Sequence, residues 1–251
     1  MGRSLVDART GASRLDRQMK LMAIDTALDA VSVCVTDGDR VLANAEAKSD
    51  RRHGEMLAPM IHSVLREAGC TVQDIGSIGV DIGPGLFTGM RVGIATAKAM
   101  AEVLEANLVG VSSLEALAHQ ADTEFDVVAA VIDARRGEVF WSLHRADDRE
   151  QVSSPRAGSA EECLASIADR GQSVCLIGTG VARYRQVFDD GLRLAVPDFE
   201  LAPDGLSTPT ATTVAAIAGS RLVDAVSVDE LVPMYLRAPD AEINWLTRSG
   251  A

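Results

Sequence analysis

The chain has 251 residues, of which 47% are hydrophobic and 24% charged, which excludes a disordered or collagen-like protein and predicts one large or two small globular domains. Acidic residues outnumber basic residues by 36 to 24, so the formal net charge is −12. A protein that binds nucleic acid alone needs a basic surface for phosphate contacts, so this composition argues against a stand-alone RNA- or DNA-binding protein. No apolar run approaches the roughly 20 residues of a membrane span, and we expect a cytoplasmic protein without membrane contact.

The four cysteines, at positions 34, 70, 163 and 175, show no CxxC pair and no metal-binding spacing. Cys34 and Cys175 lie in apolar, strand-like runs, where a reduced thiol packed in the core is the expected state. A disulfide or a metal site is the alternative. We therefore favour reduced thiols and predict no metal site.

Residues 1–18 carry four arginines and two aspartates, a local charge of +2, and show no apolar periodicity. We interpret them as a disordered extension or an over-long start assignment. An Arg-rich targeting peptide is the alternative, which the two aspartates disfavour. Without this segment the remainder has a net charge of −14. Residues 241–251 are assigned to a tail.

The first half of the chain alternates strand and helix patterns. Its first strand ends at Asp25, and Asp37-Gly38-Asp39 is typical of a hairpin turn between the next two strands. The predicted elements are strands over 21–24, 31–35 and 41–43, a helix over 49–69, a strand over 78–82, a helix over 88–106, a strand over 108–111 and a helix over 112–121. This alternation predicts an α/β fold with a largely parallel sheet core.

The second half repeats the order of the first. An apolar strand again ends at an aspartate, Asp133, and an alternating strand over 138–144 leads to a turn at 147–149. The copy is completed by a helix over 160–168, a strand over 173–177 and a helix over 208–223. We therefore predict a duplicated fold with two βββαβα-type lobes, residues 19–110 and 111–240. A chance match of two hairpins is the alternative.

A glycine-rich stretch at 83–93 lies between a predicted buried strand and a helix. Backbone N–H groups there can hold an anion at the helix N-terminus, and the Thr88 side chain is a candidate helix cap. The spacing matches neither GxGxxG nor the P-loop pattern. Small residues recur every four positions at Gly89, Gly93 and Ala97, which favours close helix packing over phosphate binding.

Four stretches resemble the bacterial TsaB (YeaZ) family of the actin-like, sugar-kinase and Hsp70 superfamily. They are the glycine-rich stretch at 83–93, RHGEML at 52–57, DARRGEV at 133–139 and PMYLR at 233–237. In order, the resemblance covers residues 19 to about 237. Departures from the family pattern are Ala27 and Leu86, where serines are usual, and Gly54 after His53. At positions 27 and 86 the loops therefore lack the hydroxyl groups that serines would supply.

The resemblance implies an actin-like ATPase (ribonuclease H-like) α/β fold and a role in making N6-threonylcarbamoyladenosine, a tRNA modification beside the anticodon. In that system a TsaB-type chain is a non-catalytic partner of its paralogue TsaD, the transferase subunit, and the ATPase TsaE joins them. We therefore expect TsaD and TsaE as partners, a homodimer when the chain is alone, and contact with tRNA only through the complex.

In the family, two helices mediate pairing with TsaD, and here they correspond to the helices over 49–69 and 88–106. We expect their apolar residues to divide by face between core and interface. The predicted interface residues are His53, Met56, Leu57, Met60, Ile61, Val64, Leu65, Gly89, Met90, Gly93 and Ala97. We also expect Leu57→Glu or Ile61→Glu to abolish TsaD binding and to leave the monomer folded.

The residues themselves favour a protein without catalytic residues. Metal binding of the TsaD type needs two histidines four residues apart on the first helix, and His53 has no such partner. The first hairpin, Asp25-Thr26-Ala27, lacks the glycine that would let a phosphate approach. We expect no metal site and no required cofactor. Binding of ATP or ADP at a subunit junction stays an open question at this point. Candidate residual nucleotide sites are Asp25, Thr26, Gly83, Gly85, Thr88, Asp133, Arg135, Arg136, Gly178 and Gly180.

Two other functional classes stay open at this point. An active actin-like ATPase or kinase would use Asp25 and Asp133 and would turn over ATP alone, but the missing phosphate-loop glycines disfavour it. A metallopeptidase needs a His/Glu metal constellation such as HExxH, which the sequence lacks.

Overall fold

A computed structural model describes residues 20–49, 52–203 and 206–237. The predictions for residues 1–18 and for the tail at 241–251 lie outside the described residues. Among the described residues, no helix combines the length and the apolar character needed to cross a bilayer.

The first sheet is built from the first five strands of the chain. They are β1 (Lys20–Asp25), β2 (Ala30–Asp37), β3 (Arg40–Lys48), β4 (Ile75–Asp81) and β5 (Asn107–Val111). Their order in the sheet is β3-β2-β1-β4-β5. The first three strands pair antiparallel, whereas β4 lies parallel to β1 and β5 lies parallel to β4. The carboxyl ends of β1, β4 and β5 therefore meet at one edge of the sheet.

Three helices belong to this half: α1 (His53–Glu67), α2 (Phe87–Leu104) and α3 (Ser113–Gln120). Helix α1 begins later than predicted, because the Ser49 N–H donates to the Asp29 carbonyl (2.9 Å) and prolongs the preceding hairpin. Helix α2 ends where Glu105 adopts a left-handed conformation with φ of 52°. The Ser112 side chain caps α3 by accepting a hydrogen bond from the Leu114 N–H.

The second half repeats this arrangement. Its strands are β6 (Val127–Arg135), β7 (Glu138–Arg145), β8 (Arg156–Ser159), β9 (Val174–Ile177) and β10 (Phe199–Leu201), and its helices are α4 (Ala160–Ala168), α5 (Thr179–Arg183), α6 (Arg185–Ala195) and α7 (Ala211–Ser220). The sheet order is β10-β9-β6-β7-β8, which is the order of the first sheet read from the other edge. Parallel and antiparallel pairs also correspond. The predicted α/β fold and its duplication are confirmed.

Both faces of the central strands are buried, because successive side chains of a strand point to opposite faces. On β1, Met22 and Ile24 lie in the core that α1 and α2 cover, whereas Leu21 and Ala23 lie in a separate core on the other face. Strand β6 divides its residues between two cores in the same way. Each sheet therefore needs a layer of helices on both sides.

One helix of each half packs on the sheet of the other half. Helix α3 follows the first sheet but packs on β6 and β7 of the second, where Leu114 and Leu117 are buried. Helix α7 follows the second sheet but packs on β1, β2 and β4 of the first, where Val214 and Ala218 are buried. This exchange joins the two halves; the boundary predicted at 110/111 stays a prediction.

All four cysteines are free, in agreement with the expectation of reduced thiols. Three are buried, and burial raises the pKa of the Cys34 thiol to about 11. Burial likewise raises the pKa of Cys175 to about 11. These thiols stay protonated at neutral pH and behave as small apolar core residues.

The close packing of α7 on the first sheet depends on Gly79 of β4. A Cβ at Gly79 would lie 2.7 Å from the Cβ of Ala218. We predict that Gly79→Ala lowers the free energy of unfolding by about 1–3 kcal/mol, because α7 must move away from the sheet. Gly219→Ala is the matched control: its nearest neighbour is a Leu21 methyl at 4.0 Å, and it should leave stability unchanged or raise it by up to about 1 kcal/mol. Urea unfolding measures both, and equal effects would contradict the predicted contact.

Candidate functional site

A cavity of about 450 Å³ lies between the two halves. It is lined by residues 28–29, which follow β1, by residues 84–87 of the glycine-rich loop, by residues 133–135 at the end of β6, and by residues 234–237. Three of the predicted site residues, Gly85, Asp133 and Arg135, line this cavity. The other predicted site residues do not line it; they are Asp25, Thr26, Gly83, Thr88, Arg136, Gly178 and Gly180. A second pocket of about 650 Å³, between β7, β8 and α4, contains none of them.

Two aspartates lie side by side at the edge of the first sheet. Asp25 ends β1 and Asp81 ends β4, and the preceding residues of the two strands are paired in register. The Asp25 Oδ1 accepts a hydrogen bond from the Ala27 N–H (2.8 Å), and the Asp81 Oδ1 accepts from the Gly83 N–H (2.7 Å). Burial, and then the charge of Asp81, raise the pKa of Asp25 well above its usual range. Burial raises the pKa of Asp81 to about 6.

The glycine-rich loop closes directly onto the turn that follows β1. The Leu86 N–H donates to the Ala27 carbonyl (2.7 Å), and a Cβ on Gly85 would lie 2.2 Å from that carbonyl oxygen. Along α2, Cβ atoms on Gly89 and Gly93 would lie 2.3 Å and 2.4 Å from atoms of Thr26. The glycines therefore serve close packing of protein on protein, as the small-residue spacing favours.

The expectation that Thr88 caps α2 is wrong. The residue before the helix is Leu86, and no side chain in the described part of the chain caps this end. Thr88 lies in the first turn and is exposed. The close seating of Gly85 on Ala27 places Leu86, rather than a hydroxyl residue, at the helix start.

The second hairpin holds Asp133 and two arginines. Asp133 accepts a hydrogen bond from the Arg135 N–H (2.9 Å), and its own N–H donates to the Thr179 hydroxyl (3.0 Å). Arg135 and Arg136 adopt left-handed conformations, with φ of 64° and 55°. This backbone points the Arg135 guanidinium across the cavity to Asp29, at 3.2 Å, so one ion pair bridges the two halves.

Gly178 and Gly180 support packing beneath this hairpin. A Cβ on Gly178 would lie 2.2 Å from the Val131 carbonyl oxygen, and one on Gly180 would lie 2.7 Å from a Val131 methyl. Gly178 also has a φ of 119°, which few other residues adopt. Both glycines let the start of α5 lie against β6.

Residues 231–237 lie along one side of the cavity and contact both halves of the chain. The Met234 N–H donates to the Ile82 carbonyl (2.7 Å), and Arg237 pairs with Glu138 (2.6 Å). Tyr235 stacks on Phe87 of α2, with ring centroids 5.5 Å apart, and its hydroxyl accepts a hydrogen bond from Arg91 (2.8 Å). Only the PMYLR resemblance pointed to this segment; its apolar side chains show no periodic pattern.

Most of the predicted interface residues are buried within the chain itself. They are His53, Leu57, Ile61, Val64, Leu65, Gly89, Met90, Gly93 and Ala97, whereas Met56 and Met60 are partly exposed. The His53 Nε2 donates to the Leu28 carbonyl (2.8 Å), which fixes the start of α1. Whether these helices form the interface stays a prediction.

The expectation that Leu57→Glu or Ile61→Glu leaves the monomer folded requires both side chains to lie on the surface, and the structure buries them. Leu57 is 1% exposed and Ile61 is 9% exposed, and both lie in the core of the first half. A glutamate at either position would place an unpaired charge in that core. Such variants therefore report on folding rather than on a surface.

Metal binding can be judged from the side chains that the structure places. Within the described ranges, no three His, Cys, Asp or Glu side chains come together in a group able to hold a metal ion. Asp25 and Asp81 form a pair rather than such a group.

The closure of the glycine-rich loop can be tested at Gly85. We predict that Gly85→Ala lowers the free energy of unfolding by about 1–3 kcal/mol, because the added methyl breaks the Leu86–Ala27 hydrogen bond. Gly54→Ala, whose Cβ would meet no atom of a described residue within 4 Å, is the control and should not destabilise the protein. Denaturation in urea gives both values, and an unchanged Gly85→Ala protein would show that the loop is not tightly packed.

Comparison with known proteins identifies the family. Residues 40–245 match the profile of the family described as tRNA N6-adenosine threonylcarbamoyltransferase, TsaD. The tRNA threonylcarbamoyladenosine biosynthesis protein TsaB of Bacillus subtilis is 28% identical over 91% of this chain and 98% of its own length. TsaB of Escherichia coli is 37% identical over 52% of this chain and 57% of its own length.

A solved structure agrees with this relationship. A Pseudomonas aeruginosa protein, described as uncharacterised and similar to the peptidase YeaZ, has a TM-score of 0.70 and 26% identity, over 87% of this chain and all of the other. The chain thus belongs to the TsaB (YeaZ) family, whose named members are tRNA threonylcarbamoyladenosine biosynthesis proteins.

Proposed function

We propose that this chain is a non-catalytic partner of the transferase TsaD in threonylcarbamoyladenosine synthesis. The observation that carries the proposal is the closure of the glycine-rich loop onto the turn after β1. The Ala27 N–H is bonded to Asp25 and the Ala27 carbonyl is bonded to Leu86, so this turn offers no free backbone N–H to a phosphate at that residue.

The carboxylates that an ATPase would use are engaged inside the protein. Asp25 is buried and bonded to its own turn, and Asp133 is bonded to the Arg135 backbone with the Arg135 guanidinium 3.7 Å away. A magnesium ion needs carboxylate oxygens that remain open to it and to its waters. This arrangement supports a role without catalysis and disfavours the kinase or ATPase alternative.

Helices α1 and α2 offer an outward surface for a partner. Met56 and Met60 on α1, and Val92 and Met100 on α2, pack against the core but remain partly exposed. Flexible methionine side chains adapt to a partner surface, and apolar residues are typical of the centre of an interface. We infer that these four residues, rather than the buried Leu57, contact TsaD, and that the same surface forms a homodimer when the chain is alone.

Cofactor and tRNA binding belong to the assembled complex in this proposal. The chain requires no cofactor of its own, and ATP or ADP in the complex lies at the junction with TsaD. The net charge of −12 supports a division of labour in which TsaD and TsaE hold the tRNA. In this proposal the chain works in the cytoplasm.

The partner surface can be tested with two glutamates on one helix. We predict that Met60→Glu weakens binding to TsaD by about tenfold or more, because a charge replaces an apolar contact at the interface. Ala58→Glu is the matched control: it is exposed and lies 200° around the helix from Met60, and it should bind TsaD normally. Calorimetric titration with TsaD measures both affinities. Unchanged binding by Met60→Glu, in a variant that unfolds like the wild type, would remove this surface from consideration.

The absence of catalysis is tested by reconstitution. tRNA modification should require TsaD, TsaE and this chain together, and the chain alone should hydrolyse no ATP. Measurable ATP turnover by the purified chain, abolished by Asp133→Asn, would instead support the ATPase alternative.

A further inference from the structure

Asp25 and Asp81 form a buried carboxyl pair that the proposed function does not use. Ile24 of β1 is in register with Val80 of β4, so the two aspartates follow side by side on parallel strands. Their exposed fractions are 1% and 0%. The Oδ2 atom of each is buried and has no donor partner among the described residues.

Contact between the two carboxyl groups requires a proton. Asp25 and Asp81 follow the paired residues Ile24 and Val80 on adjacent parallel strands, which lie about 4.8 Å apart, so the two side chains leave the same face of the sheet next to each other. Two ionised carboxylates have no donor between them. With one proton, Asp25 donates to Asp81, and the two free Oδ2 atoms acquire partners. Without it, two negative charges face each other in a site that excludes water, which is strongly unfavourable.

The Oδ1 atoms connect this pair to three structural elements. Asp25 holds the turn after β1 through the Ala27 N–H. Asp81 holds the glycine-rich loop through the Gly83 N–H (2.7 Å) and the start of α3 through the Ser113 hydroxyl (2.6 Å). The pair therefore lies where the first sheet, the loop that closes on Ala27 and the exchanged helix α3 meet.

We propose that one proton shared by Asp25 and Asp81 holds the glycine-rich loop closed on the turn after β1 and anchors α3, and that loss of this proton opens the junction. This proposal stands independently of the proposed function. It makes the junction a pH-sensitive element of the fold.

The surrounding groups do not neutralise a second charge. Glu46 on β3 adds a further negative charge near Asp25. On α1, His53 is bonded to the Leu28 carbonyl, and on α3, Glu115 is paired with Arg221. Helix α2 carries Arg91, which is bonded to the Tyr235 hydroxyl, and further along Lys98 and Glu102. Helix α7 and strand β5 carry no charged residue, and neither aspartate has an ion pair with a described Lys or Arg. The proton is therefore the available counter-charge.

The sign of the pH dependence follows from this arrangement. The pKa of both carboxyls is raised in the folded chain, so the folded state binds more protons than the unfolded state above about pH 4. Stability then falls as the pH rises and stops falling once the shared proton has left. For one retained proton, the unfolding equilibrium constant rises by about tenfold per pH unit.

The decisive variant is Asp81→Asn. Its Oδ1 can still accept from Gly83 and Ser113, and its amide can donate to the Asp25 Oδ2, so the network is complete without a proton. We expect the wild type to lose stability relative to Asp81→Asn by up to about tenfold in the unfolding constant per pH unit, from about pH 4 up to the pH at which the shared proton leaves. Asp122→Asn, at an exposed position, is the control and should follow the wild type. Urea unfolding across this pH range measures all three.

A local measurement separates opening of the junction from general stability. The Leu86 amide, bonded to Ala27, should lose hydrogen-exchange protection in the wild type from pH 6 to 9, after correction for intrinsic exchange, and should keep it in Asp81→Asn. If Asp81→Asn does not fold, Asp25→Asn provides the reciprocal test. Identical pH profiles for the wild type and the folded Asn variant would overturn the proposal. Stabilisation of the wild type by Mg²⁺ or Na⁺, absent in Asp81→Asn, would show that a cation occupies the pair and would overturn it too.

Discussion

The contact between the Thr26–Ala27 turn and the glycines at 85, 89 and 93 is the constraint on which the rest of the structure depends. With any larger residue at Gly89 or Gly93, α2 could not lie against this turn, since added Cβ atoms would come within 2.4 Å of Thr26. The Thr26 hydroxyl strengthens the seating by donating to the Gly89 carbonyl (2.8 Å). The position of α2 in turn sets the glycine-rich loop, the wall of the cavity and the place where residues 231–237 attach. One steric requirement thus shapes both the cavity and the outward surface of helices α1 and α2.

Much of the fold follows from local pattern in the sequence. Long periodic segments, such as α1 and the strand pairs that end at Asp25 and Asp133, carry enough signal to be recognised, and their repetition revealed the duplication. The missed strands β8 and β10 have four and three residues, too few to show a period. Helix α6 contains Asp189, Asp190 and Gly191 in its centre, residues that disfavour a helix locally, and tertiary packing of Phe188 and Leu192 overrides them. Contacts between residues far apart in the sequence decide which of the two similar sheets α3 and α7 pack on, and no local sequence pattern encodes this.

The candidate site was predictable in part. The terminal aspartates of β1 and β6 stand out because a charged residue ends an apolar run, and the structure brings both loops to one cavity. Asp81 was not singled out, because the strand predicted over 78–82 places it before the strand end; its significance lies in its neighbour on β1, which only strand pairing reveals. The apolar stripe of α1 was visible as well. Periodicity shows that a helix face is apolar, but it does not show whether the chain's own sheet covers that face, and here the sheet covers Leu57 and Ile61.

The exchange of the last helices has a consequence for how the protein is made. The first sheet is complete at Val111, yet the helix that covers its second face ends at Ser220. At a synthesis rate of roughly 5–20 residues per second, that face stays uncovered for about 5–20 s after the sheet has been synthesised, until α7 is complete. During this interval Leu21, Ala23 and Val109 present an apolar surface on the ribosome. The nascent chain is therefore a natural client for chaperones that bind exposed apolar segments, and its folding is completed from the C-terminal side.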